Sequence, residues 1–225
     1  MEDVEKLYKE DKLLVRAMDY PSVIGGKDNG RFECQPWVDE FYSLMHDGID
    51  SLSTTLIVPG VGVRNYKNVG FLINSDLADC FHISKIDSNS CGSYRHGDFQ
   101  ASKKDYSHIS ELAEYIKEND ATEMNEVNIN TKIDAVLGLY INKCEHANWL
   151  LKNIYVIKKM LKALTGIDYP IFMYDFLKGE LERIDLSKEQ EDEIISGLEA
   201  NQIFCWPEDA KEPMYIPIES TSIHK

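Results

Sequence analysis

The sequence predicts one α/β or α+β domain, a mixed β-sheet flanked by helices, and three observations point there. Short runs of strand-type residues alternate with segments of helical spacing along the whole chain. Ala135 to Ile141 (AVLGLYI) is a near-continuous apolar run of strand length, as a central strand requires. Cys144 to Leu164 follows as a long amphipathic helix, and Gly166 stops it. With 225 residues and no internal repeat or linker, the chain is long enough for a single sizeable core.

In order, residues 2–12 read as a short exposed helix and Leu13-Leu14-Val15 as a strand. Gly25 to Gly30 is a loop. Pro36 suits the first turn of a helix from Trp37 to His46, with Trp37, Phe41, Leu44 and Met45 on its apolar face and Gly48 at its end. Thr54 to Val63 and Val69 to Ile73 read as two strands joined around Arg64 to Asn68, with Pro59 placing the first at an edge or interrupting it. Cys80 to Asp87 (CFHISKID) is a further strand.

Ser107 to Asn119 has helical spacing through Ile109, Leu112, Ala113 and Ile116, with Ser107 or Ser110 as its cap. A polar connection leads to the central strand. In the long helix Leu150, Leu151, Ile154, Ile157, Leu161 and Leu164 face inward, while Lys152, Lys158, Lys159 and Lys162 form a basic outer face. Tyr169 to Tyr174 reads as a strand whose continuation to Leu181 is strand or helix. Ser187 to Gln190 has capping-box spacing and opens an acidic helix to about Leu198. Gln202 to Trp206 is a last strand, and the tail from about 207 to 225, with Pro207, Pro213 and Pro217, reads as irregular.

Net charge is −15, and it is unevenly spread. Residues 1–50 carry 12 acids and 6 bases, and residues 51–100 carry 4 of each; residues 101–150 carry 9 and 5, and residues 151–225 carry 14 and 9. This balance argues against nucleic-acid or anionic-membrane binding, which needs clustered Lys and Arg, and suits a partner with a basic surface. No basic-then-apolar leader opens the sequence, and no apolar run approaches the ~18 residues of a membrane span. Five cysteines (Cys34, Cys80, Cys91, Cys144 and Cys205) form an odd set in a chain that needs no disulfide staples. Free thiols in a reducing cytosol are the expectation.

Reactive side chains concentrate between Asn68 and Asp98, where Cys80, His82, Cys91 and His96 fall within seventeen residues. A cysteine nucleophile needs a thiolate, a histidine to take its proton and a third group to orient the imidazole. Cys144 stands where a strand ends and a helix begins, a position that favours a thiolate. His82 lies on a strand, and Asp98 follows it by 16 residues, enough for a turn and a neighbouring strand.

Phe71-Leu72-Ile73-Asn74 followed by His82-Ile83-Ser84-Lys85-Ile86-Asp87 is similar to the F-x-I-N and H-F-S-x-I-D of YopJ-type acetyltransferases, bacterial effectors injected into host cells. The order His, acid, Cys resembles the wider adenain/SUMO-protease-like cysteine peptidase clan. The likeness spans about residues 68–165 and implies a cysteine-peptidase-like fold. It also implies His82 as general base, Asp98 as the acid and Cys144 as the nucleophile passing acetyl from acetyl-CoA to a protein substrate. Two departures stand out: Glu145 follows Cys144 directly, and no Gln occupies the oxyanion position, where Asn142 or Asn148 would have to serve.

Other readings stand beside this one. Cys34, ahead of Pro36, with His82 and then Asp87 or Asp98, is a papain-like order. Cys80, His82, Cys91, His96 and His108 offer soft and imidazole ligands to a metal, though at no familiar knuckle spacing. In the effector reading the Lys152–Lys162 face meets a polyanion such as an inositol phosphate. The non-catalytic alternative is an acidic inhibitor-like or immunity-like protein that covers a basic surface of its target. There, His82 is a hydrogen-bonded strand residue and Cys144 a small core hydrophobe.

Overall fold

The computed structural model describes residues 4–21, 31–65, 67–86, 105–196, 202–205 and 214–217, with backbone alone for 31–33, 202–205 and 214–217. Its elements run α1 (Val4–Lys9), β1 (Leu13–Met18), α2 (Arg31–His46), β2 (Ile49–Ile57), β3 (Val69–Asn74), β4 (Asp79–Ser84) and α3 (Ile109–Asn119). They continue with β5 (Glu126–Thr131), β6 (Val136–Asn142), α4 (Ala147–Thr165), β7 (Ile171–Asp175), β8 (Glu180–Ile184), α5 (Lys188–Ser196), β9 (Gln202–Cys205) and β10 (Met214–Pro217). Eight strands form one sheet in the order β4-β5-β2-β1-β3-β6-β7-β8, and β9 pairs with β10 apart from it. The class is mixed α/β, as the alternation of patterns predicted.

Every pairing in the large sheet is antiparallel except β6 with β7. That parallel pair is joined by α4, because two parallel neighbours need a crossover long enough to return to the same end. All seven residues of β6 are buried, which explains its unbroken apolar run. α4 buries Leu150, Ile154, Ile157 and Leu161 and ends at Gly166, whose φ of +75° is the left-handed cap a side chain would resist.

β2 is central, and Pro59 does end it, two residues after Ile57. Its first part pairs with β5 through Leu52, Ser53 and Thr54, and its last three residues pair with β1. An irregularity between Ile49 and Leu52, with Ser51 at φ +64°, breaks the first ladder. β2 and β3, consecutive along the chain, are separated in the sheet by β1.

α2 begins at Arg31, so Pro36 sits inside the helix rather than in its first turn. Trp37, Phe41 and Leu44 are fully sealed, and the Phe41 ring meets Phe71 at 5.1 Å and Tyr169 at 5.7 Å. Each such burial stabilises by roughly 1.5–3 kcal/mol. α3 starts two residues later than its spacing predicted, because Glu111 turns back to accept the N–H groups of Ser107 and His108; neither serine caps it. The Ser187–Gln190 box forms as expected, with both reciprocal bonds present. The tail is not wholly irregular, since Met214–Pro217 pairs with Gln202–Cys205.

Candidate functional site

His82 lies on β4, an edge strand, where Phe81 bulges out of register. Across the ladder His82 faces Asn128, Ser84 faces Glu126, and Asn128 in turn faces Ser53 on β2. Cross-strand partners share a face, so these groups form one polar layer on the outer half of the sheet. His82 (8% exposed), Ser84, Glu126 and Asn128 are all buried. The Ser53 hydroxyl donates to Glu126 Oε1 at 3.0 Å, and the Ser84 hydroxyl donates to Asp105 Oδ2 at 3.2 Å. This layer is partly hydrogen-bonded, since Asn128 Oδ1 is buried without a hydrogen bond among the described residues and Ser53 is exposed at its rim, and the imidazole within it is buried.

Cys144 is half-buried in the turn between β6 and α4, not on the helix itself, which starts three residues later. Its neighbours are already engaged: Lys143 pairs with Asp175 at 3.1 Å, and His146 lies 3.4 Å from Glu145. Between β4 and β6 stand β5, β2, β1 and β3. At ~4.8 Å per strand the path along the sheet from His82 to Cys144 is about 24 Å. Strand order, not sequence spacing, decides their separation, and it places four strands between the strand that carries His82 and the strand that leads to Cys144. Asp98, the third member, lies outside the described residues, as do Asp87, Cys91 and His96.

Cys34, the thiol of the papain-like order, lies within α2 with none of its surface exposed, a setting that disfavours a nucleophile. Cys80 is partly buried, and burial, with Asp79 and Asp76 nearby, pushes its thiol up to about 11, away from thiolate character. Among the described residues no three His, Cys, Asp or Glu side chains converge to hold a metal ion. The lysines on the basic face of α4 are engaged within the chain, with Lys152 on Glu193, Lys158 and Lys162 on Asp168, and Lys159 over the Tyr155 ring. Among the described residues no helix is long and apolar enough to cross a membrane.

The chain matches no protein-family model, and no curated protein matches it.

A different surface stands out at the opposite edge of the sheet. β8 was missed as a strand because its sequence, Glu180 to Ile184, is mostly charged, and acids are depleted in strands. Among the described residues it pairs with β7 alone, antiparallel, and Asp175↔Glu180 and Met173↔Glu182 place both glutamates on one face. α5 follows at once and packs on α4 through buried Ile194, with Lys152 on Glu193 at 2.9 Å. From Phe176 to Ser196 the chain carries seven acids (Glu180, Glu182, Asp185, Glu189, Glu191, Asp192, Glu193) against three bases (Lys178, Arg183, Lys188). Glu182 and Glu189 are exposed and have no ion pair among the described residues.

Proposed function

We propose that this protein is a non-catalytic binding protein whose acidic C-terminal surface, β8 and α5, docks on a basic surface of a partner protein. The observation that carries this reading is the exposed surplus of carboxylates from Glu180 to Glu193, held on a strand edge and a capped helix. Ordered charge of one sign steers a complementary partner and suppresses others more than it adds raw affinity. The acyl-transfer reading needs an imidazole at a thiol, and four strands stand between the candidate groups.

Zero-length carboxylate-to-amine cross-linking in extracts of cells that express the chain tests this reading. Cross-links from Glu180 to Glu193 to lysines of one recurring protein are the expected result. Cross-links scattered over the whole acidic surface overturn it. So does transfer of acetyl from acetyl-CoA to a protein that is lost in both Cys144→Ala and His82→Ala.

A further inference from the structure

We propose that β8 is a strand-addition site: it takes an extended, basic segment of the partner as a ninth strand. The inference rests on the docking reading above and specifies its geometry. The two ends of the large sheet differ. At the β4 edge, the N–H groups of Asp105 and Tyr106 donate to the Ile83 carbonyl at 3.1 and 3.3 Å, so the chain itself covers part of that edge. At the β8 edge no backbone hydrogen bond from Glu180 to Ile184 to anything but β7 occurs among the described residues. An edge strand presents alternate N–H and C=O groups outward, which an extended chain can pair with directly.

Side chains select what is added. Glu180 and Glu182 stand two residues apart on one face, about 6.8 Å along the strand. An added strand with Lys or Arg at alternate positions sets a cation opposite each carboxylate. A second copy of this chain is disfavoured, because β8 against β8 brings glutamates to glutamates. The charge thus guards the edge against self-association and admits a basic strand. Leu177, 80% exposed at the turn into β8, is the most exposed large apolar side chain among the described residues and offers an apolar contact at the end of the added strand.

The test uses the full chain and a labelled heptapeptide with Lys at alternate positions and Thr or Val between, followed by fluorescence anisotropy at low ionic strength. Two further peptides carry N-methyl groups on one or the other alternate set of amides, which removes donors along one edge without changing charge. The expected result is that one methylated peptide binds at least about tenfold more weakly and the other like the parent. In addition, amide exchange slows at residues 180–184, and the double variant Glu180→Lys, Glu182→Lys weakens the parent peptide. If all three peptides bind alike, strand addition is overturned while the acidic-surface reading stands. If no peptide binds, or protection appears away from β8, strand addition is likewise overturned. The cross-linking above then decides the docking reading separately.

Discussion

Arg16 and Glu40 meet in a two-point ion pair, Nε to Oε1 at 2.8 Å and Nη2 to Oε2 at 3.0 Å, that fastens β1 to α2. Neither group is far exposed, and Arg16 also donates to the Ser53 carbonyl at 3.3 Å, tying in β2. Fork-on-carboxylate geometry makes this the strong class of polar contact. Glu40→Ala leaves the guanidinium with one weak acceptor in a half-dry site. The expected loss in urea unfolding is about 2 kcal/mol. Lys152→Ala, which removes only the surface pair with Glu193, is expected to stay within about 0.5 kcal/mol. Equal effects of the two changes would refute the ranking.

Gly70 sits in β3 between β1 and β6, and a Cβ there would lie 1.9 Å from the Arg16 carbonyl oxygen and 2.6 Å from the Tyr140 ring. The backbone oxygen cannot retreat without breaking the β1–β3 ladder. Gly70→Ala is expected to cost more than about 3 kcal/mol or to prevent folding, read as loss of soluble protein or a large drop in melting temperature. Gly60→Ala is the control for lost space alone, since nothing lies within 4 Å of its Cβ position and its strain comes only from φ +79°.

Alkaline unfolding should be driven by buried phenols. The Tyr8 hydroxyl donates to the carbonyls of Val58 and Gly179 at 3.1 and 2.8 Å, and that of Tyr140 donates to the Lys67 carbonyl at 3.0 Å. Burial raises both, and Tyr174 as well, well above the ordinary tyrosine value. Unfolded tyrosines ionise near pH 10. The native state therefore holds more protons above that point, so the stability is complete below about pH 10 and is lost as pH rises beyond it. Tyrosinate absorbance should rise in one cooperative step that coincides with loss of far-UV circular dichroism. Gradual ionisation of these groups in a folded protein would contradict it.

Cys80 should be a slow thiol. Held up to about 11 by burial, it carries roughly a hundredfold less thiolate at neutral pH than a thiol at the ordinary value. Iodoacetamide labelling followed by peptide mass spectrometry should show Cys80 lagging half-buried Cys144 at pH 7, with its rate still climbing above pH 9. Labelling of Cys80 at the free-thiol rate would show that the site is more open than the fold implies.

Several parts of the fold were legible in adjacent residues. The unbroken Ala135–Ile141 run marked β6, Gly166 marked the end of α4, and Ser187 with Gln190 marked the start of α5. Two strands of the large sheet were not legible. In β5, Val127 and Ile129 alternate inward, but Glu126, Asn128 and Asn130 made the segment read as a polar connection. Only pairing with β2 and β4 makes it a strand, where Glu126 accepts from Ser53 and Asn130 donates to Asp79 across the ladder. β8 was hidden in the same way by Glu180, Glu182 and Arg183, all exposed at the edge of the sheet.

The sequence by itself determined the local elements, the mixed α/β class and the acidic surplus, because helical and strand periodicity and charge are written in neighbouring residues. Tertiary structure alone decided whether His82 reaches Cys144. That depends on which strand pairs with which, a matter of contacts between residues far apart in the chain, and the order β5-β2-β1-β3 between them keeps the imidazole and the thiol on different parts of the sheet. It alone also left β8 at the rim, where its carboxylates face outward.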